Sequence, residues 1–222
     1  MVVFNVSEKW SNGNKRSFTG FDPDDQRVEA IGTLCNVGGK GNCNITGNRR
    51  KIFCYYNNIN AILTVTLIPY FKNNRDSCSL KMRSRHNEPG MYCHDEDPHQ
   101  LDGKRFGGYG FAVSRINCES RREPAHFCHD QVKQFKLPRE LKNGRQVKIR
   151  QTVRDEGKLV HQKGEIDYLD GKGFFEVMDT YDRTPEPWMI DRKLYETKSY
   201  IWIRNNGEGS ISVRNVSLEI LP

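Results

Sequence analysis

Residues 61–71 read Ala-Ile-Leu-Thr-Val-Thr-Leu-Ile-Pro-Tyr-Phe, and after the turn pair Asn73-Asn74 comes Ser79-Leu-Lys-Met-Arg-Ser-Arg85. The first run is β-branched and apolar, interrupted by Thr64, Thr66 and Pro69. The second alternates, with Ser79, Lys81, Arg83 and Arg85 on one face and Leu80 and Met82 on the other. Working outward, strands are expected at Tyr109–Arg115, Val147–Arg154, Phe174–Met178, Tyr200–Arg204 and Ser210–Ile220. Turn signals punctuate the chain at Asn12-Gly13, Gly38-Gly39, Gly107-Gly108, Asn143-Gly144, Asp170-Gly171 and Asn206-Gly207. Helical periodicity is confined to Pro187–Glu196 and His129–Phe135, one or two short helices at most. The expected fold is all-β, a two-sheet antiparallel jelly-roll sandwich, with residues 1–222 as one domain.

Composition narrows the function. The chain has 222 residues and a formal net charge of +7, with 36% hydrophobic and 28% charged residues. That is too apolar for a disordered chain. No apolar stretch approaches the roughly 20 residues of a spanning helix. The basic residues are spread along the whole chain and no nucleic-acid reader motif occurs, so nucleic acid is not an expected partner. Met1–Ser7 carries no basic segment followed by an apolar one, so no signal peptide is read in this chain. Seven cysteines (35, 43, 54, 78, 93, 118 and 128) allow at most three disulfides, and their clustering favours a secreted protein. Sequons at Asn5, Asn44 and Asn215 offer glycosylation sites.

The charges inside the strands carry the functional reading. Lys81, Arg83 and Arg85 form one basic row, and Lys148, Arg150 and Arg154 form a second. If the rows are neighbours, they make a cationic groove for an anionic polysaccharide. Cleaving a uronic-acid polymer by β-elimination needs a cation on the carboxylate, a base for the C5 proton and an acid for the leaving oxygen. Arg83 and Arg85 suit the first role, and Tyr109 or His126 the proton transfers. Lys81, His86, Lys148, Arg150 and Trp202 are the candidate substrate contacts, and Trp188 and Tyr200 are further surfaces for stacking a sugar. The competing account is a solvated outer face whose arginines pair with carboxylates.

Three stretches resemble the concanavalin A-like lectin/glucanase superfamily, and within it the jelly-roll lyases that act on alginate or glucuronan. They are Ile62–Phe71 leading into Ser79–His86; Gly107–Arg115 followed by Arg122-Glu-Pro-Ala-His126; and Tyr200–Gly207 with Val213–Ile220. One lyase family uses a Lys, a Ser-x-Arg and a Tyr-x-Tyr. Here the chain offers Lys81 or Arg83, Ser84-Arg85 and Tyr109-Gly-Phe111, with Ser84 and Arg85 adjacent rather than spaced and Phe111 lacking the hydroxyl. The resemblance implies a polysaccharide lyase, with a non-catalytic lectin-like or structural module as the alternative.

A third reading comes from Gly164-Glu-Ile-Asp-Tyr-Leu-Asp170, which is similar to the Glu-x-Asp-x-x-Glu signature of retaining glucanases. There one carboxylate attacks and another protonates, about 5–5.5 Å apart. The plainer account is a strand running into an Asp170-Gly171 hairpin turn. No metal ligand set is assigned. Cys93-His-Asp-Glu-Asp-Pro-His99 is read as an acidic loop beside a Cys93–Cys128 or Cys118–Cys128 disulfide, with a structural calcium ion as the alternative.

Overall fold

Alternation of apolar and polar side chains forces these segments into strands that bury one face each. A computed structural model describes residues 2–4, 43–46, 50–56, 60–85, 108–123, 131–185, 187–190 and 199–221. The strands are β1 (Val2–Phe4), β2 (Cys43–Thr46), β3 (Arg50–Tyr56), β4 (Ala61–Tyr70), β5 (Ser77–Arg85), β6 (Gly108–Ser114) and β7 (Asn117–Glu123). They continue with β8 (Gln131–Lys136), β9 (Val147–Glu156), β10 (Leu159–Asp167), β11 (Phe174–Asp182), β12 (Ser199–Asn206) and β13 (Ser210–Ile220). One sheet runs β1-β13-β4-β9-β10-β11, with β2 also on β13; the other runs β3-β12-β5-β6-β7-β8. Each pairing is antiparallel. This is the expected jelly-roll sandwich. Among the described residues one short helix, α1 (Pro187–Ile190), falls within the expected Pro187–Glu196.

The facing surfaces of the two sheets make the core. Leu63, Val65, Leu67, Ile149, Val153 and Ile166 from the first meet Leu80, Phe111, Val113 and Ile203 from the second, all buried. Each such side chain contributes about 1.5–3 kcal/mol relative to exposure. Gly164 has its place because the Phe111 ring fills the space beside it. A Cβ there would lie 2.6 Å from Phe111 Cε2.

The turns after β4, β6, β8, β10 and β12 gather at one pole, where side chains tie them together. Asp76 is fully buried; its Oδ2 accepts from Lys72 N (2.6 Å) and its Oδ1 from Glu208 N (3.1 Å). Gly207 adopts φ +95° against that carboxylate, where a Cβ would sit 2.1 Å from Oδ1. Asn143 holds both backbone groups of Phe71, accepting from N (2.9 Å) and donating to O (2.7 Å). Leu137 N and Leu141 N donate to Ile116 O and Arg115 O, locking the β8–β9 loop onto the β6–β7 turn.

One expectation needs correction. The described part of the expected His129–Phe135 helix is extended instead: Gln131–Lys136 is the edge strand β8. A helix of one or two turns cannot satisfy its own backbone. Pairing with β7 does so, and it packs Phe135 against the core.

Gly164→Ala is expected to lower stability by about 1–3 kcal/mol through overpacking against Phe111. The check is a urea titration in which the midpoint falls and the slope is unchanged.

Candidate functional site

The two basic rows do not meet. Lys81 lies on β5 of the second sheet, and Lys148, Arg150 and Arg154 lie on β9 of the first, so they occupy opposite outer surfaces. The row on β5 is itself broken. Lys81 pairs with Trp202 and Ser84 with Tyr200, so Met82 and Arg83 together oppose one residue. Arg83 takes φ +53° in this bulge. An extra residue in the left-handed region reverses the facing of the side chain, and Arg83 turns inward.

Inside, Arg83 is fully buried. It donates to Asp155 Oδ1 (2.7 Å), Met189 O (2.8 Å) and Asn60 Oδ1 (2.9 Å). Tyr109 is also fully buried, and its hydroxyl donates to Asp182 Oδ2 at 2.7 Å. The same oxygen accepts from Arg122 Nε (2.6 Å), while Arg122 Nη2 donates to Thr184 O (2.6 Å). Burial, then the Asp182 charge, drives the Tyr109 pKa far above its ordinary value. The hydroxyl is a fixed donor rather than a proton shuttle. Arg83 and Tyr109 therefore do not reach a substrate surface, which corrects the roles read for them. His126 and His86 lie outside the described residues, as does Asn5; so do the side chains of Arg85, Trp188, Tyr200, Trp202 and Asn44. Asn215 is exposed on β13.

On the outer face of the second sheet, β6 presents only small groups: Gly110, Ala112 and Ser114. Longer side chains rise from both neighbours. Lys81 and Ser79 flank from β5, and Arg121 and Glu119 from β7. The result is a polar trough over β6. Its wider part, about 290 Å3, is lined by Arg75, Ser114, Asn117, Glu119, Arg121 and Gln134. It continues past Ala112 and Gly110 to Lys81, Arg204 and Asn206. Gly110 lets Arg121 lie close, since a Cβ there would stand 3.3 Å from the Arg121 Cβ. Arg121 donates from both Nε and Nη2 to Glu119, which fixes the plane of the guanidinium. Asn206 Nδ2 is held by the hydroxyls of Ser79 (2.6 Å) and Ser77 (3.1 Å). Of the expected contacts whose side chains are described, Lys81 lines this trough and Lys148 and Arg150 do not. The sequence pattern does not single out Arg75, Arg121 and Arg204: the register of β7 and β12 brings in Arg121 and Arg204, and the β4–β5 turn brings in Arg75.

The outer face of the first sheet is a lattice of closed ion pairs. Arg150 Nε binds Glu165 Oε2 (2.7 Å), and its guanidinium lies over Phe174 (3.8 Å). Lys163 bridges Glu165 (3.3 Å) and Glu176 (3.0 Å). Burial would raise the Glu165 pKa, but the Arg150 hydrogen bond and the charges of Arg150 and Lys163 outweigh it and hold the carboxyl low. Asp167 Oδ1 accepts from Leu169 N (2.8 Å), and Asp170 pairs with Arg139 (2.7 Å) in the hairpin turn. The Arg139 hydrogen bond holds Asp170 below the usual carboxylate range. Glu165 and Asp170 are thus each committed to a cation, as the plainer strand-and-turn account expects.

Cys78 and Cys118 are buried free thiols. Burial pushes the Cys118 pKa up to about 12, and that of Cys78 further. Both are aligned with Val113 on the strand between them, two strand spacings apart. At about 4.8 Å per spacing that exceeds disulfide reach. Cys93 and Cys128, the other cysteines of the expected pairings, lie outside the described residues. Among the described residues no group of three His, Cys, Asp or Glu side chains is placed to hold a metal, and the Cys93–His99 stretch lies outside them. No described helix is long and apolar enough to cross a membrane.

The architecture is shared with lectins and a hydrolase. A legume lectin-like domain from Entamoeba histolytica aligns at TM-score 0.50 and 11% identity, over 83% of this chain and 85% of that one. The exoplasmic/lumenal domain of VIP36, in a Ca2+/Man3GlcNAc-bound form, aligns at 0.52 and 10% identity, over 83% and 82%. An engineered GH43 glycoside hydrolase aligns at 0.50 and 9% identity, and the match covers 83% of this chain but 36% of the enzyme. The chain therefore has the concanavalin A-like jelly-roll fold. No family model matches it, and no curated protein matches it.

Asp182→Ala leaves Arg122 buried without its carboxylate, for an expected cost of about 3–5 kcal/mol. Tyr109→Phe removes one hydrogen bond to that carboxylate, for about 1–3 kcal/mol; thermal denaturation of both variants checks the order. Because the folded Glu165 pKa lies below its ordinary 4.5, the stability from its ion pairs is present above that value. It is lost as pH falls through the depressed folded value. The difference in Tm between wild type and Glu165→Gln is expected to narrow as pH drops below about 4.5.

Proposed function

We propose that the protein is a non-catalytic, lectin-like module, secreted and acting as a single jelly-roll domain, that binds an anionic polysaccharide in the trough over β6. The observation that carries this reading is the pairing of a floor of Gly110, Ala112 and Ser114 with walls that include Lys81, Arg75, Arg121 and Arg204. Small floor residues let a sugar ring approach the sheet. Guanidinium groups donate in a planar fork that fits carboxylate or sulfate, and the neighbouring Asn and Gln amides suit hydroxyls. The net charge of +7 draws an anionic polymer towards the surface. The bound Man3GlcNAc of the VIP36 domain gives the fold a precedent for sugar binding. Binding without cleavage is favoured over β-elimination because Arg83 and Tyr109 are engaged inside the sandwich.

The test is retention of the protein on a panel of uronic-acid, sulfated and neutral polysaccharides, with ultraviolet absorbance followed over long incubation. Saturable retention on an anionic polymer with a flat absorbance trace is expected. Arg121→Ala should weaken it about tenfold, the loss of one charge-assisted contact. A rising absorbance would replace this reading with a lyase, and absence of retention on every anionic polymer would refute it.

A further inference from the structure

A second concavity lies at the pole of the tight turns, and it shares no residue with the trough. It measures about 630 Å3 and lies between the β8–β9 loop and the β10–β11 turn, lined by Arg139, Lys142, Arg145, Val147, Tyr168 and Leu169 together with Glu140 and Gln146. That volume falls within the roughly 300–1,000 Å3 of small-molecule sites.

Its charge is not balanced. Arg139 is committed to Asp170 (2.7 Å) and to the faces of Tyr168 (4.1 Å) and Phe175 (5.3 Å). Among the described residues Glu140 is the one acidic group in the lining, and Arg115 stands 3.7 Å from it. Lys142 and Arg145 are exposed, and no carboxylate among the described residues pairs with either. The hydrogen bond from Arg145 N to Lys142 O (3.1 Å) sets both cations on one turn.

The walls are stiff. The Asn143 clamp on Phe71 holds that turn, Gly144 N donates to Pro69 O (3.0 Å), and Tyr168 Oη donates to Arg139 O (2.8 Å), which joins one wall to the other. The apolar part is unusual in its backbone. Leu169 adopts φ +56°, held by the Asp167 carboxylate, and leaves 41% of its surface exposed. A left-handed conformation disfavours Leu and suits glycine, and Gly171 and Gly173 in the same turn adopt it freely. Here a large apolar side chain is kept at a position whose backbone favours having none, on the wall of a cationic cleft.

We propose that this cleft is a ligand site for a small amphiphilic anion, a carboxylate or sulfate on an apolar body, with Lys142 and Arg145 taking the acidic group and Leu169, beside Tyr168, the apolar part. Anilinonaphthalene sulfonate, added to the folded full-length protein and followed by fluorescence, is the probe. A saturable, salt-weakened titration is expected. Leu169→Gly and the double variant Lys142→Ala/Arg145→Ala should each weaken it about tenfold. Leu169→Gly should leave Tm unchanged or higher, which a merely structural role for Leu169 would not. Arg121→Ala should leave the dye titration unchanged, so failure of the trough reading is distinguishable from failure of this one. The proposal is overturned if the dye does not saturate, if its affinity ignores both variants, or if Leu169→Gly lowers Tm together with binding.

Discussion

A guanidinium inside a β-sandwich must be given a carboxylate, and this fold is arranged around two that are. Arg83 meets Asp155 and Arg122 meets Asp182, all between the sheets at the pole opposite the turns that Asp76 and Asn143 hold. An uncompensated buried charge costs several kcal/mol. A slip of one residue in β7 or β11 would send its side chains to the other face and break the Arg122–Asp182 pair. The pairs therefore restrict the register in a region where the core is not purely apolar. The bulge at Arg83 belongs to the same constraint, since without it the side chain would stand on the outer face beside Lys81.

The opposite pole is organised differently. There a buried carboxylate, Asp76, and the amide of Asn143 tie the turns to backbone groups of segments distant in sequence. A loop held in this way presents its side chains in fixed positions, which is what a binding surface needs. Both concavities draw on this pole. The trough runs to Arg75 and Asn117, and the cleft is walled by the β8–β9 loop. The small residues of β6 do the rest by lowering the floor between two strands of longer side chains.

How far each strand could be read depended on what it buries. Ala61–Tyr70, Val147–Glu156 and Ser210–Ile220 carry apolar residues on the inward face and show plainly. Asn117–Glu123 does not, because its inward residues are Cys118, Ser120 and Arg122, which look like surface until Asp182 and Thr180 stand opposite them. Leu159–Asp167 is hidden in part by inward Gln162 and Gly164. The same limit shaped the site. Arg83 and Tyr109 have the right chemistry for a lyase, but residue type carries no information about accessibility, and both are sealed in.

By itself the sequence determined the β class, the main strands and the places of the turns at Asn73-Asn74, Asn143-Gly144, Asp170-Gly171 and Asn206-Gly207. These rest on local physics: a two-residue side-chain period and the backbone freedom of Gly and Asn. Only the tertiary structure decided which strands share a sheet, and hence which charges share a surface. β5 lies between β6 and β12, the latter more than a hundred residues on in the chain, and β9 lies in the other sheet altogether. Strand pairing of that range is set by the packing of the whole core, and no local pattern encodes it.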